Sequence, residues 1–263
     1  MSYYYKDNSN SNQQYYGATP RTAPVAPVAP TPAPPIYQNI SGDGLYDLDG
    51  ILLNPKDCVV AFIDHEPQMY LAVRSHEPEY IRSNTVGLAE ACKLFHVPTV
   101  LTSIDEATFS GITLHPIREA LGNPPSIDRS CINAWQDKNF VAAIKATGRK
   151  KLIISALWTE LCGLMPALSA KAEGFDVYFV ADASGGATKE AHERAMQRMI
   201  QAGIHPVTWE QVMLEWQRCW SRKETAGGVL KIANEHGGAY GIGIEYHDQI
   251  AKGLVKPDVE MAP

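Results

Sequence analysis

The sequence lacks a block of lysine and arginine: 23 basic side chains are outnumbered by 29 acidic ones, giving a formal net charge of −6. Nucleic acids and anionic lipid surfaces are bound by basic patches that release counterions, so both are disfavoured as partners. No run approaches the roughly 18 apolar residues that a membrane-spanning helix needs. Nor is there a basic start followed by an apolar run, so no secretory signal is expected. Cysteine is scarce: the five (58, 92, 131, 162 and 219) are odd in number and scattered, with no CxxC and no Cys/His pair at zinc spacing. That excludes a disulfide framework and a structural zinc site, and it favours a reducing, cytoplasmic setting. A glycine-rich phosphate loop and an internal repeat are also missing.

Proline and tyrosine are present but unevenly placed. The first forty residues hold seven of the 18 prolines and six of the 12 tyrosines, with only Lys6, Asp7 and Arg21 as charges. A Pro-Ala run over Pro20–Pro35 favours polyproline II and forms neither helix nor ladder. Residues 1–40 are therefore expected to be a disordered Pro/Tyr-rich segment.

From Cys58 onward, short β-branched runs alternate with helical patterns, the rhythm of a parallel sheet covered on both faces. Residues 58–64, 97–104, 151–157, 176–184 and 204–209 read as strands. The stretches 80–95, 139–148, 159–174 and 187–203 read as helices, three of them ending on the C-cap glycines Gly148, Gly174 and Gly203. Residues around Pro116, Pro124 and Pro125 read as irregular. The expected fold is α/β, a Rossmann-like three-layer α/β/α sandwich with a mostly parallel sheet, over residues 41–222. Beyond Arg222 the pattern loosens into a glycine-rich segment with one helical-looking run. Residues 223–263 are expected to be a C-terminal arm that could contact a neighbouring subunit.

In open α/β sheets the chemistry gathers at the carboxyl ends of the strands. Asp64 ends the first strand, Arg129 lies in the irregular segment, and Cys162 falls in the first turn after the strand 151–157. A thiol at a helix N-terminus meets the positive end of the dipole and unpaired N–H groups, which favour thiolate and could hold an oxyanion. Taken singly, each residue has an ordinary alternative: packing for the cysteine, a cap for the aspartate, a structural ion pair for the arginine. Cys58, Cys92 and Cys219 read as packing, and Cys131 as a second thiol at the pocket rim.

The segments FIDHEPQM (62–69), RSCINAWQDKNFVAAIKATGRKKLIISALWTELC (129–162) and ALSAKAEGFDVYFVADASG (167–185), followed by TW (208–209), resemble the isochorismatase-like cysteine hydrolase superfamily, and within it the YcaC-type hydrolases. The resemblance runs over about residues 52–222. It implies cleavage of a carbon–nitrogen, amide-type bond in a small-molecule substrate, through a thioester. Cys162 would be the nucleophile, Asp64 the general base and Arg129 the fixed cation of a Cys-Asp-Arg triad. It further implies a non-proline cis peptide at Leu157–Trp158, which turns the Trp158 N–H to join that of Cys162 in an oxyanion hole. Trp158, Trp135 and Asn133 are expected to line the substrate pocket. The resemblance implies no organic cofactor, and with no DxH or HxH a metal is not expected, so His65 reads as a packing or supporting residue. It also implies a homo-oligomer, in YcaC-like proteins an octamer. Two alternatives are an isochorismatase-type hydrolase of another bond, which would not need the intact TELC, and a non-catalytic scaffold that recruits partners through its tail.

Overall fold

The computed structural model describes residues 51–254, so the expected disordered segment 1–40 lies outside the described residues. Six parallel strands carry the described part: β1 (Cys58–Ile63), β2 (Thr99–Ile104), β3 (Ser126–Arg129), β4 (Lys151–Ala156), β5 (Asp176–Val180) and β6 (His205–Val207). They pair in the order β3-β2-β1-β4-β5-β6. Chain order therefore reverses between β1 and β4, the place where doubly wound sheets open a crevice. The intervening helices are α1 (Pro67–Leu71), α2 (Pro78–Leu94), α3 (His115–Ala120), α4 (Lys138–Ala146), α5 (Leu164–Ala172), α6 (Lys189–Gln201) and α7 (Trp209–Gln217). Two more, α8 (Lys223–His236) and α9 (Ala239–Ala251), follow the last strand. Among the described residues no helix is long and apolar enough to cross a membrane.

The two-residue period of a strand sorts β1 between two cores. Cys58, Val60 and Phe62 join Leu88 and Cys92 of α2, Val212 and Trp216 of α7, and Val229 and Ile232 of α8. Val59, Ala61 and Ile63 join Phe140 and Ile144 of α4, Ala167 and Ala170 of α5, and Ala195 and Met199 of α6. Every residue of β1 is buried. Its near-continuous apolar run is what burial on both faces demands. The expected three-layer α/β/α sandwich is present, with an entirely parallel sheet.

Two segments differ from the expectation. The irregular stretch after Pro116 contains β3, a short polar strand hydrogen-bonded along β2 only, from Leu101↔Ser126 to Ile104↔Arg129. An edge position tolerates polar residues, which is why SIDR carries no strand pattern. Instead of starting as an arm, residues 223–236 form α8, which buries Ala226, Val229, Ile232 and Ala233 in the same core as α2. These apolar positions keep helical spacing, but Gly227 and Gly228 obscure it in the sequence. Gly228 is itself a packing residue: a Cβ there would lie 2.6 Å from Leu94 of α2. The described C-terminal segment is thus two helices, of which α9 buries Gly241 alone and exposes Ile242 and Tyr246.

Candidate active site

The sheet brings Asp64, Arg129 and Cys162 to one end of β1. Asp64 follows β1 directly with φ 58°, a left-handed conformation rare outside glycine that ends the strand. Its N–H still donates to the Thr102 carbonyl at 3.0 Å. Arg129 closes β3, two strands away, and its side chain crosses the end of β2. On the other flank β4 runs beside β1, with Ile63 opposite Ala156. The chain then passes through the cis Leu157–Trp158 bond into a π-helical turn, Thr159–Gly163, that holds Cys162.

One guanidinium nitrogen, Nη2 of Arg129, donates to both Asp64 carboxylate oxygens at 2.8 Å. Both side chains are fully removed from solvent. The other terminal nitrogen, Nη1, donates to the Cys131 carbonyl. Burial pushes the Asp64 carboxyl up from the usual carboxylate range, and the Arg129 charge pulls against it. Arg129 is the cation that opposes this desolvation and favours the charged form of the carboxyl. The Cys162 thiol, 4% exposed, interacts with both groups. Burial, then the Asp64 charge, pushes that thiol well above the ordinary cysteine range, and Arg129 only partly offsets them. That direction is opposite to the one expected of a thiol at a helix N-terminus. Burial and the Asp64 carboxyl beside it both favour the neutral thiol.

Gly163 fixes how closely this turn approaches the sheet. A Cβ on it would lie 2.8 Å from the Phe179 ring of β5, itself fully buried, and 3.4 Å from Ala156. Gly163→Ala is expected to cost about 1–3 kcal/mol by overpacking, read as a lower urea midpoint at unchanged slope. An unchanged midpoint would show that the ring has room to move.

The remaining expected site residues divide. Trp158 is partly exposed, donates from Nε1 to the Met69 carbonyl at 2.9 Å, and packs with Leu157, Met69 and Val73. It stays beside the site. Trp135 instead sets its ring edge-on to Phe140 and Phe175, and its Nε1–H donates to Glu173 at 3.0 Å. Asn133 accepts from the Trp135 N–H and donates to Ser169. Both side chains are thus engaged between α4 and α5, with Trp135 buried and Asn133 half-buried. His65 is wholly buried between Tyr70 and Ser155, and burial holds its pKa down at about 4. It is a neutral supporting residue. Cys131 is exposed, whereas Cys58 and Cys92 are buried in the core.

Glu66 escaped the sequence reading. It lies two residues past Asp64, is fully buried, and neither carboxyl oxygen has a hydrogen-bond partner. Burial first, then the Asp64 charge, raises its pKa to about 9. FIDHEP shows a second acid two residues past a strand-end aspartate, but nothing in that spacing reports its burial. One cluster of metal-ligand types occurs among the described residues, Glu90, Glu235 and His236 between α2 and α8. It includes none of Asp64, Arg129 and Cys162.

The isochorismatase domain profile matches residues 57–211. The probable hydrolase YcaC of Escherichia coli is 37% identical over 185 residues, which are 70% of this chain and 88% of that protein. Its crystal structure, described as an octameric hydrolase of unknown specificity, superposes with a TM-score of 0.72 at 35% identity, covering 76% of this chain and 98% of that one. YcaC from Pseudomonas aeruginosa, solved with hexane-2,5-diol and covalent acrylamide, gives a TM-score of 0.71 at 35% identity, with 75% and 98% covered.

Proposed function

The chain belongs to the isochorismatase family, and from that premise we propose that it hydrolyses a carbon–nitrogen, amide-type bond of a small molecule with Cys162 as nucleophile. The observation that carries this reading is a buried thiol set against a buried carboxyl group that is paired with an arginine. A nucleophile and a base within reach, with the base oriented by a third group, is the arrangement covalent catalysis needs.

Asp64 takes the thiol proton as sulfur attacks the acyl carbon, and the carbonyl electron pair moves to oxygen. The Trp158 and Cys162 N–H groups would receive that oxyanion. Asp64 returns its proton to nitrogen, the C–N bond breaks, and ammonia or an amine leaves a thioester. Water then gives a proton to Asp64 and attacks the thioester, the C–S bond breaks, and the thiolate recovers the proton. Arg129 cannot donate a proton near neutral pH and serves as a fixed charge. The covalent acrylamide in the P. aeruginosa relative supports a reactive site that admits a small amide. Self-association belongs to the same reading: the E. coli relative is octameric, and α9 exposes Ile242 and Tyr246.

Incubation with a panel of small primary amides is expected to release ammonia from at least one of them. Acid-quenched protein should then carry an acyl adduct on the peptide containing Cys162. Ammonia release with the adduct on another cysteine, or no release from any amide, would overturn the assignment.

A further inference from the structure

The Asp64–Arg129–Cys162 arrangement leaves several buried polar atoms unexplained, among them three on Glu66 and Thr113. Both oxygens of Glu66 lack a partner although the residue is fully buried. Glu66 occupies the N-cap position of α1, yet its side chain makes no cap hydrogen bond. The Thr113 hydroxyl, in a residue 1% exposed, is likewise unpartnered. These two residues sit on segments tied together beside them, where the Leu114 N–H donates to the His65 carbonyl at 2.9 Å. The Nε of Arg129 is a further buried donor without a partner. A buried hydrogen-bonding group left unpaired costs about 1–3 kcal/mol. Several on neighbouring segments at the carboxyl end of a sheet mark a place where something polar is received.

We propose that Glu66 and Thr113 form a subsite beside the Asp64–Arg129 pair that reads an uncharged hydrogen-bonding group, making the substrates neutral amides with a second uncharged polar group rather than carboxylates. The inference rests on the amide reading and adds the class of amide. Its basis is charge and hydrogen-bond capacity together. The charge of the site's cation is already matched by Asp64, to whose two oxygens Arg129 donates through Nη2, while Nη1 donates to the Cys131 carbonyl. The charged groups acting on Glu66 are Asp64 at the end of β1, Arg129 from β3 and Glu106 from the turn after β2. Tyr70 of α1 also feels Glu66, and its hydroxyl is engaged by His65. A substrate carboxylate would add a further anion to a set in which Arg129 is the one cation against Asp64 and Glu106. A protonated Glu66 offers one O–H donor and one carbonyl acceptor, the complement of a carboxamide edge, and the threonine hydroxyl adds a donor and an acceptor. Burial and Asp64 keep Glu66 in that neutral form up to about pH 9.

Succinamide and succinamate are suitable probes, since they differ only in exchanging an uncharged carboxamide for a carboxylate. Calorimetric binding to full-length Cys162→Ala protein at pH 7.5 is expected to favour succinamide by about tenfold or more, the order of one well-made hydrogen bond plus an uncompensated charge. In that background Glu66→Gln keeps the preference, Glu66→Leu weakens succinamide binding about tenfold, and Thr113→Val weakens it less. Raising the pH to 10 weakens succinamide binding to the Glu66 protein and leaves the Glu66→Gln protein unchanged. Equal or preferential binding of succinamate, no binding of succinamide, or the same pH response in both proteins would overturn the proposal. These arms read binding without turnover. Failure of the Cys162 chemistry would show instead as no acyl adduct on the native protein.

Discussion

Exchanging Asp64 for asparagine is expected to drive two measurements on Cys162 in opposite directions. Amide hydrolysis should fall by about 10²–10⁴-fold, the usual contribution of a positioned general base. Alkylation of Cys162 by iodoacetamide at pH 7 should become faster. The Asp64 charge is the second cause, after burial, that holds the thiol protonated, and Arg129 acts against it. Without the carboxylate, the guanidinium is left uncompensated beside the sulfur, and the pKa drops. A better nucleophile would then accompany a worse enzyme, because nothing remains to carry the proton to the departing nitrogen. Cys58, pushed up to about 11 by burial, and Cys92, which burial raises well above the ordinary cysteine range, serve as unreactive internal references. Loss of both hydrolysis and labelling would reduce Asp64 to a structural role. Full hydrolysis in the asparagine variant would remove it from the mechanism.

That experiment separates two things the sequence left joined. Asp64, Arg129 and Cys162 were legible as strand-end and loop residues because the apolar runs 58–64 and 151–157 announce buried parallel strands. Their meeting follows from the order β3-β2-β1-β4. The state of the thiol was not legible. The pattern suggested the start of an α-helix, whereas Cys162 sits in a π-helical turn whose burial dominates its titration. Desolvation depends on what packs around a group, and no local spacing reports it. The same limit explains Trp135 and Asn133, whose motif is recognisable but whose side chains turn to Glu173 and Ser169. It explains Glu66 as well, since an acid beside a strand end looks like a solvated loop residue until its two oxygens are found buried and unpaired. At the sheet edge and in α8 the fold itself was hidden, by polar residues in β3 and by paired glycines in the helix.

Arg129→Met is the harsher test of the ion pair. Breaking a buried pair from one side leaves the other charge uncompensated and typically costs about 3–5 kcal/mol, and both side chains here are fully buried. Asp64 can escape part of that penalty by taking a proton. In the variant, burial alone would hold its folded pKa above the unfolded value of about 3.9. A carboxyl raised in this way contributes stability that is complete below the unfolded pKa and lost as the pH rises through the folded one. The stability deficit measured by urea unfolding should therefore grow from pH 5.5 to pH 8, and hydrolysis should be lost with the ionised base. Arg129→Lys keeps the charge but replaces a planar group serving Asp64 and the Cys131 carbonyl at once, so an intermediate deficit is expected. The double variant Asp64→Leu/Arg129→Met discriminates further. Removing both charges is expected to recover stability that either single change loses, with no return of hydrolysis. A pair that costs stability yet is needed for turnover is held for its chemistry. A double variant no more stable than Arg129→Met would mean that the arginine stabilises this end of the sheet through contacts other than Asp64.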